Sequence, residues 1–184
     1  MSANAPQSST TIWNIDPAHT IAEFKVRHMM ITNVKGQFTH ITGVVTLDAN
    51  DITKSRVEAF IEASSINTRE ADRDTHLKSA DFLDVEKFPR LTFVSTSIRR
   101  TATHELELHG DLTIHGVTRN VVFAVEGPTP QVNDPWGNTR IGFSAHTKIN
   151  RKDFGLTWNT ALEAGGILVG EEVTITLDVE AVKA

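Results

Sequence analysis

The chain has 184 residues, a length typical of one domain with a sizeable core, and its 22% of charged residues is ordinary for a soluble globular protein. Its 18 Lys and Arg against 23 Asp and Glu give a net charge of -5, which is opposite to the basic surface that nucleic-acid binding needs. Cysteine is absent, which excludes disulfides, thiolate nucleophiles and sulfur-ligated metals.

The first ten residues are small and polar, and they predict a disordered tail over 1–10 followed by a single domain over 11–184. They contain neither the basic nor the apolar region of an export signal, so we expect a cytoplasmic protein, or a periplasmic one if a leader has been trimmed. No apolar run approaches the roughly 18 residues that span a bilayer, so we expect no stable membrane insertion.

Apolar residues at every second position are the dominant pattern of the chain, and they predict strands with one buried face. One segment, 34–47, changes phase, which predicts a long strand bent at a bulge near Gly43. Counting this segment, the pattern predicts about eight strands separated by short polar breaks. The alternating segments cover 22–26, 34–47, 57–61, 91–97, 106–114, 121–125, 141–149 and 173–179.

One stretch, from Asn67 to Lys78, has a helical rather than a strand composition. Asn67 followed by Glu70 resembles a capping box, and a charged run follows it. The sequence therefore predicts a helical excursion over residues 68–83, with one exposed helix that ends before Phe82.

About eight strands in antiparallel order predict an all-β sandwich or barrel. An eight-stranded barrel has an interior that is either filled by side chains or large enough for one small ligand. The predicted inward positions include Ala22, Ala59, Gly110 and Ala145, which are small. A lumen with free volume and a core packed by large residues opposite the small ones both remain open at this point.

The eight histidines raise the alternative of a metal or catalytic site. Neither a His-Glu-x-x-His motif nor a Gly-x-Ser-x-Gly elbow occurs, and His109 and His115 would lie roughly 20 Å apart along a strand. We therefore expect no metal and no enzymatic activity, although His19 and His76 could converge in the fold. His115 with Gly116 is typical of a turn between two strands.

Five segments in the same order resemble the YceI-like family of polyisoprenoid-binding proteins, and the likeness extends from Thr11 to Val182. The resemblance implies an extended, eight-stranded, lipocalin-like antiparallel barrel with a helical excursion. It also implies that the lumen holds a long isoprenoid chain, as a polyprenyl phosphate or an isoprenoid quinone, with no further cofactor. The segments run from Trp13 to Thr20, Phe24 to Ile31, Arg73 to Pro89, Leu112 to Arg119 and Asn150 to Leu156.

The resemblance and the strand phases together provide candidate ligand contacts, although an apolar strand residue is more often ordinary core. The thioethers of Met29 and Met30 could adapt to a ligand or fill a gap. Arg151 could bind a phosphate or pair with a carboxylate such as Asp153. The lumen candidates are Phe24, Val26, Met29, Met30, Phe38, Phe93, Leu108, Phe143, Phe154, Trp158 and Leu162. The candidates for a head group or for the mouth are His19, His28, Asn150, Arg151 and Asp153.

Binding, storage or transport of an isoprenoid lipid is the function that these patterns favour, because each buried methylene contributes about 0.8 kcal/mol. Two alternatives remain: a small lipid-active hydrolase or isomerase that uses a histidine constellation, and a stress-response interaction module with a packed lumen. A homodimer is compatible with the chain, since two-fold dimers are common among soluble proteins.

Overall fold

The computed structural model describes residues 9–184, which form twelve strands and one α-helix, α1 (Ala71–Lys78). Short 3₁₀ turns occur at Pro17–His19, Ile52–Lys54, Ala63–Ser65 and Arg151–Phe154. The strands are β1 (Thr10–Ile15), β2 (Ile21–His28), β3 (Thr32–Phe38), β4 (Ile41–Asp48), β5 (Arg56–Glu62), β6 (Ile66–Asn67), β7 (Arg90–Ala102), β8 (Glu105–Ile114), β9 (Val117–Glu126), β10 (Val132–Asn133), β11 (Thr139–Asn150) and β12 (Val169–Lys183).

Eight of these strands close into an antiparallel barrel, in the order β1, β4, β5, β7, β8, β9, β11, β12 and back to β1. The other four extend the barrel wall: β2 pairs with β12, β3 with β2, β6 with β3, and β10 with β11. The eight-stranded antiparallel barrel expected from the sequence is therefore confirmed. Closure matters because a sheet with one apolar face must either close or pack against a second layer.

The β12 strand completes the barrel by pairing with two strands in succession along one edge. Its residues 169–178 pair with β2, and its residues 181–183 pair with β1. At the branch point the buried Thr20 hydroxyl accepts a hydrogen bond from Glu180 N (3.2 Å) and donates one to Glu180 O (3.3 Å). These bonds hold the connection between β1 and β2 on β12, so position 20 needs a hydroxyl.

A charge network on the outer wall reinforces this branch point. Arg140 Nη1 lies 2.7 Å from Asp16 Oδ2 and 2.6 Å from Glu180 Oε1, and its Nε lies 2.7 Å from Asp134 Oδ2. Hydrogen bonds from His19 and then from Arg140 lower the pKa of Asp16 from 3.8 to about 2. The network ties the β1–β2 connection to β11, β12 and the loop before β11.

Acid is expected to weaken this clamp in a defined pH range. Because the pKa of Asp16 is lower in the folded state, its ionised form stabilises the fold fully above about pH 4, and that contribution is lost as the pH falls toward about 2. Urea unfolding measured across this range should show a steeper loss of stability for the wild type than for Asp16→Asn. Asp178→Asn, at an exposed strand position, is the control and should keep the wild-type slope. Equal slopes for Asp16→Asn and the wild type would contradict this role of Asp16.

The phase change between residues 34 and 47 comes from two strands, so the prediction of one strand bent at Gly43 is wrong. β3 pairs with β2 and β6 in the wall extension, whereas β4 pairs with β1 and β5 in the barrel. Gly43 lies in regular register opposite Ala59. A Cβ at Gly43 would collide with the Glu58 carbonyl oxygen, so this glycine permits the close approach of β5.

The predicted helix is present, but the prediction of its N-terminal cap is wrong. Glu70 is the N-cap of α1, and its carboxylate accepts hydrogen bonds from Asp72 N (3.2 Å) and Arg73 N (2.6 Å). Asn67 instead accepts from Arg69 N in the turn before the helix. The predicted capping box between Asn67 and Glu70 does not form. Arg69 has a positive φ of 67°, so the chain turns between Asn67 and the start of the helix.

Two apolar clusters fill parts of the barrel interior. The smaller one surrounds Trp13, which is 1% exposed, with Val45, Ile141 and Ala181. The larger one includes Phe154, also 1% exposed, and lines the rest of the barrel.

Of the predicted tail, residues 1–8 lie outside the described residues, and Thr10 is the first residue of β1. Among residues 9–184, no helix is long and apolar enough to cross a membrane.

Candidate functional site

The barrel interior retains a cavity of about 280 Å³, close to the smaller ligand pockets of known proteins. Its lining comes from all eight barrel strands together with β2, β3 and β6 of the wall extension. Along β12 alone the lining extends from Val169 to Val179, a path of roughly 30 Å on the strand. The cavity is therefore long as well as enclosed by strands.

The cavity wall is almost entirely apolar. Two of its few polar side chains are engaged elsewhere: the Thr20 hydroxyl bonds the Glu180 backbone, and Ser55 Oγ accepts a hydrogen bond from Asp48 N (3.0 Å). Thr92, which also lines the cavity, is half-buried. Glu23, which contributes to the lining, is an exposed residue. A molecule inside this cavity would find hydrocarbon contacts rather than hydrogen-bond partners.

Large rings and small residues share the interior, and their positions decide between a hollow lumen and a packed core, the two alternatives that the sequence left open. The Phe93 ring fills the space above Gly110, and the Phe24 ring fills the space above Gly36, so each glycine faces an aromatic ring. Ala22, Ala59 and Ala145 also line the cavity, and there the space is not filled. The lumen is thus packed in part and hollow in part.

Arg151 is the cationic residue of the lining, and its guanidinium is directed at the backbone. It is 3% exposed, and it donates to the carbonyl oxygens of Gly170 (2.8 Å), Leu156 (2.6 Å), Trp158 (3.0 Å) and Val169 (3.3 Å). Burial lowers the pKa of Arg151. These four bonds fasten the segment after β11 to the start of β12, so the guanidinium has a structural role at this end of the barrel.

The structure places part of the predicted ligand set on the cavity wall. The lining positions follow the alternation of their strands, which is the property from which they were predicted. Arg151 is the one predicted head-group residue on the lining, whereas the other four lie elsewhere. The predicted lumen residues on the lining are Phe24, Val26, Phe38, Phe93, Leu108 and Phe143.

Five predicted lumen residues lie outside the cavity lining. Met29 and Met30 belong to the turn between β2 and β3 and are 41% and 58% exposed. Phe154 is buried in the larger core cluster, within a 3₁₀ turn. Trp158 and Leu162 are half-buried in the loop that precedes β12. Strand alternation cannot locate any of these five, because each follows a strand end.

The four remaining polar candidates do not line the cavity. His19 belongs to the charge network on the outer wall, and His28 is the last residue of β2. The Asn150 side chain caps the following 3₁₀ turn, in which Asp153 is exposed. None of the eight histidines, all of them within the described part of the chain, lines the cavity.

One group of side chains has the spacing of a metal site, on the outer wall. The ligand atoms of Asp16, His19 and Glu180 lie within 4.8 Å of one another, and within residues 9–184 this is the one such group. Arg140 Nη1 already contacts both carboxylates, so a positive charge occupies the position that a cation would take. His76 lies elsewhere, beside Asp81, so it does not converge with His19.

The alternation pattern did not identify the lining residues of the helical excursion, Leu77, Phe82 and Leu83. These apolar residues occur in an otherwise charged segment, and that isolation is the signal that could have identified them. The ring centroid of Phe82 lies 5.3 Å from that of Trp158, and the ring centroid of His76 lies 4.7 Å from that of Trp158. This aromatic cluster joins the excursion to the loop before β12.

The chain is similar in sequence and in fold to known proteins of one domain family. A YceI-like domain matches residues 13–181. A UPF0312 protein of Staphylococcus aureus (strain MSSA476) is 37% identical over 170 residues, which cover 92% of this chain and 96% of that protein. The YCEI protein of Campylobacter jejuni superposes with a TM-score of 0.71 at 28% identity, over 86% of this chain and 90% of that one. A polyisoprenoid binding domain from Saccharophagus degradans shares the fold, with a TM-score of 0.67 at 12% identity over 94% of this chain and 98% of that one.

Proposed function

The chain belongs to the YceI-like family, and we propose that it binds a long-chain isoprenoid lipid in the cavity of its barrel. The observation that carries this proposal is the long cavity with its almost wholly apolar wall. An isoprenoid tail has no polar group to satisfy, and each methylene that enters the cavity contributes about 0.8 kcal/mol. The likeness in fold to a polyisoprenoid binding domain supports this ligand class.

We further propose that the protein stores or carries its ligand without changing it chemically. Catalysis by a histidine constellation would require a histidine next to the bound chain, and the cavity lining contains none of the eight. The polar lining groups of Thr20, Ser55 and Arg151 are already engaged with the backbone. The hydrolase or isomerase alternative therefore has no supporting feature in the cavity.

The ligand is expected to be a polyprenyl phosphate or an isoprenoid quinone whose head group stays at the rim. Because four of the five N–H groups of Arg151 already donate to backbone carbonyl oxygens, the guanidinium is directed away from a phosphate on the lining. A phosphate or quinone ring buried among hydrocarbon side chains would lose its hydration without compensation. The affinity would then come from the tail, and the protein would tolerate different head groups.

Protein purified from its own host should contain the lipid, detected by native mass spectrometry and identified after organic extraction. Ala145→Leu, which adds three carbon atoms to the cavity wall, should reduce the retained lipid about tenfold or more, because these atoms occupy the space of about two ligand methylenes, each of which contributes about 0.8 kcal/mol. Ala124→Leu adds the same atoms at an exposed position on β9 and is the matched control. Absence of any isoprenoid from repeated preparations, or equal retention by both variants, would refute lipid binding in this cavity.

A further inference from the structure

The turn between β2 and β3, residues 29–31, forms an exposed apolar projection that we name the β2–β3 tip. Met29 is 41% exposed, Met30 58% and Ile31 74%. Three consecutive exposed apolar residues are unfavourable in water, and none of them lines the cavity. Cavity binding therefore does not explain them.

The backbone of the tip makes its composition more unusual. Met29 and Met30 have φ values of 50° and 61°, and Ile31 N donates to His28 O (3.1 Å). Two central residues with positive φ define a turn that strongly prefers Asn-Gly, because a side chain with a Cβ is disfavoured there. A turn selected for stability alone would not contain two methionines, so the methionines indicate a requirement for apolar side chains at this position.

The tip contacts the loop that precedes β12. Met29 N donates to Leu168 O (2.8 Å), and the Met30 sulfur packs directly on Gly166, where a Cβ would collide with it. These contacts restrain the tip before any partner is present, which lowers the entropy cost of docking.

Three cations lie on the outer face of the strands that carry the tip. Lys25 on β2 is directly opposite Lys35 on β3, and Arg27 is one step nearer to the tip on the same face. All three are exposed, and within residues 9–184 none of them forms an ion pair or a side-chain hydrogen bond. Like charges directly opposite each other destabilise a sheet, so this cluster costs stability unless an anion binds to it.

The acidic groups around this cluster do not neutralise it. Glu171 is paired with Lys152 (2.6 Å) and Glu172 with Lys148 (3.3 Å). Glu23 lies on the same outer face of β2, but at the end of the strand away from the tip. The region next to the tip is therefore positive in a chain whose net charge is -5.

The tip also continues the wall of the cavity. Val26 and Val169 line the cavity, and they lie within a few residues of the tip on β2 and β12. His28, two residues after Val26 on the same face of β2, pairs with Val169. A surface that receives the tip would consequently lie beside this end of the cavity.

We propose that the β2–β3 tip docks on the surface of an anionic lipid bilayer, with residues 29–31 in the interfacial layer and Lys25, Arg27 and Lys35 on lipid phosphates. The occupant is a bilayer because exposed thioether and aliphatic side chains beside unpaired cations match the apolar interior and anionic surface of such a membrane. This docking is distinct from the binding of a lipid inside the cavity, and it brings the cavity next to a source of lipid.

Vesicle sedimentation tests the proposal directly. The wild type should bind vesicles of phosphatidylcholine with phosphatidylglycerol more tightly than vesicles of pure phosphatidylcholine. High salt should release it, because the screening length falls from about 8 Å at physiological ionic strength to about 3 Å at 1 M. No binding to the anionic vesicles at low salt would overturn the proposal.

A tip variant separates docking from folding. Met29→Asn with Met30→Gly and Ile31→Thr removes the apolar side chains and installs the preferred turn residues, so Tm should stay equal or rise while vesicle binding falls about tenfold or more. Val132→Ser with Trp136→Ser removes the apolar side chains of two residues that are 61% and 81% exposed on another hairpin. This control should bind vesicles like the wild type, and an equal loss in both variants would refute the role of the tip.

A charge variant tests the cationic contribution. Lys25→Gln with Arg27→Gln and Lys35→Gln should weaken binding to anionic vesicles about tenfold or more and remove the salt dependence. Arg56→Gln with Arg100→Gln and Lys183→Gln changes the net charge equally, at exposed positions on β5, β7 and β12 away from the tip. Equal binding by the two charge variants would contradict the proposed phosphate contacts.

Two further measurements separate this docking from other roles of the same residues. Retained lipid in native mass spectra should be the same in the tip variant and the wild type, so that a loss of docking is distinct from a loss of cavity binding. Analytical ultracentrifugation without vesicles tests whether the tip instead binds a second copy of the chain. A dimer of the wild type that the tip variant converts to a monomer would overturn docking on a bilayer.

Discussion

Phe143→Asp is expected to abolish lipid retention and to lower the free energy of unfolding by about 3 kcal/mol or more. Phe143 lies on β11 opposite Val179, lines the cavity, and packs against both apolar clusters. The substitution removes this packing and places a carboxylate on a wall that is almost entirely apolar. A charge in an apolar environment either loses its hydration or becomes protonated, and both outcomes cost stability.

Phe60→Asp is the matched control, because Phe60 is 36% exposed on β5 and is absent from the cavity lining. Its substitution should cost much less stability and leave lipid retention unchanged. Urea unfolding measures the first quantity, and native mass spectrometry measures the second. If Phe143→Asp folds and retains lipid like the wild type, the assignment of Phe143 to the inner face is wrong.

Arg151→Gln is expected to destabilise the protein by about 3 kcal/mol or more, because the part-buried carbonyl oxygens of Leu156, Trp158 and Gly170 lose their arginine donor. Hydrogen exchange should accelerate in residues 155–168, the loop that these bonds fasten to β12. Arg151→Lys should recover little of the loss, since an ammonium cannot reproduce the planar set of donors that reaches four carbonyls.

The same variants distinguish a structural Arg151 from one that binds a phosphate head group. A head-group residue would show weakened lipid retention with unchanged stability, and lysine would substitute well for arginine. Lys152→Gln is the control, since it breaks only a partly exposed ion pair with Glu171 and should cost less than about 1 kcal/mol. Unchanged stability of Arg151→Gln would contradict the role assigned from its four hydrogen bonds.

The sequence alone was sufficient to predict the inward faces of most strands, although it predicted no segment at β1, β6 or β10 and merged β3 with β4. Phe24 and Val26 on β2, and Phe93 and Phe143 on their strands, line the cavity as the alternation predicts. This success has a simple cause: side chains alternate across a strand, so a half-buried strand records its own inner face in consecutive residues. The family could be recognised in the same way, because its motifs are local.

The sequence could not predict which positions beyond the strand ends contact the cavity. Leu77 and Phe82 reach it from the helical excursion, whereas Met30 and Trp158 do not line it. These positions depend on how a turn or loop is folded back over the barrel. No periodic pattern records that path, so the predictions failed mainly in the segments between strands.

Barrel closure, the branch of β12 at Thr20 and the hollow part of the lumen were decided by the tertiary structure. The Phe93 ring fills the space above Gly110, while the space beside Ala145 stays open. Each outcome depends on contacts between residues far apart in the chain. Local alternation determines which side chains point inward, but only the closed sheet determines which of them meet, and therefore how much of the interior remains empty.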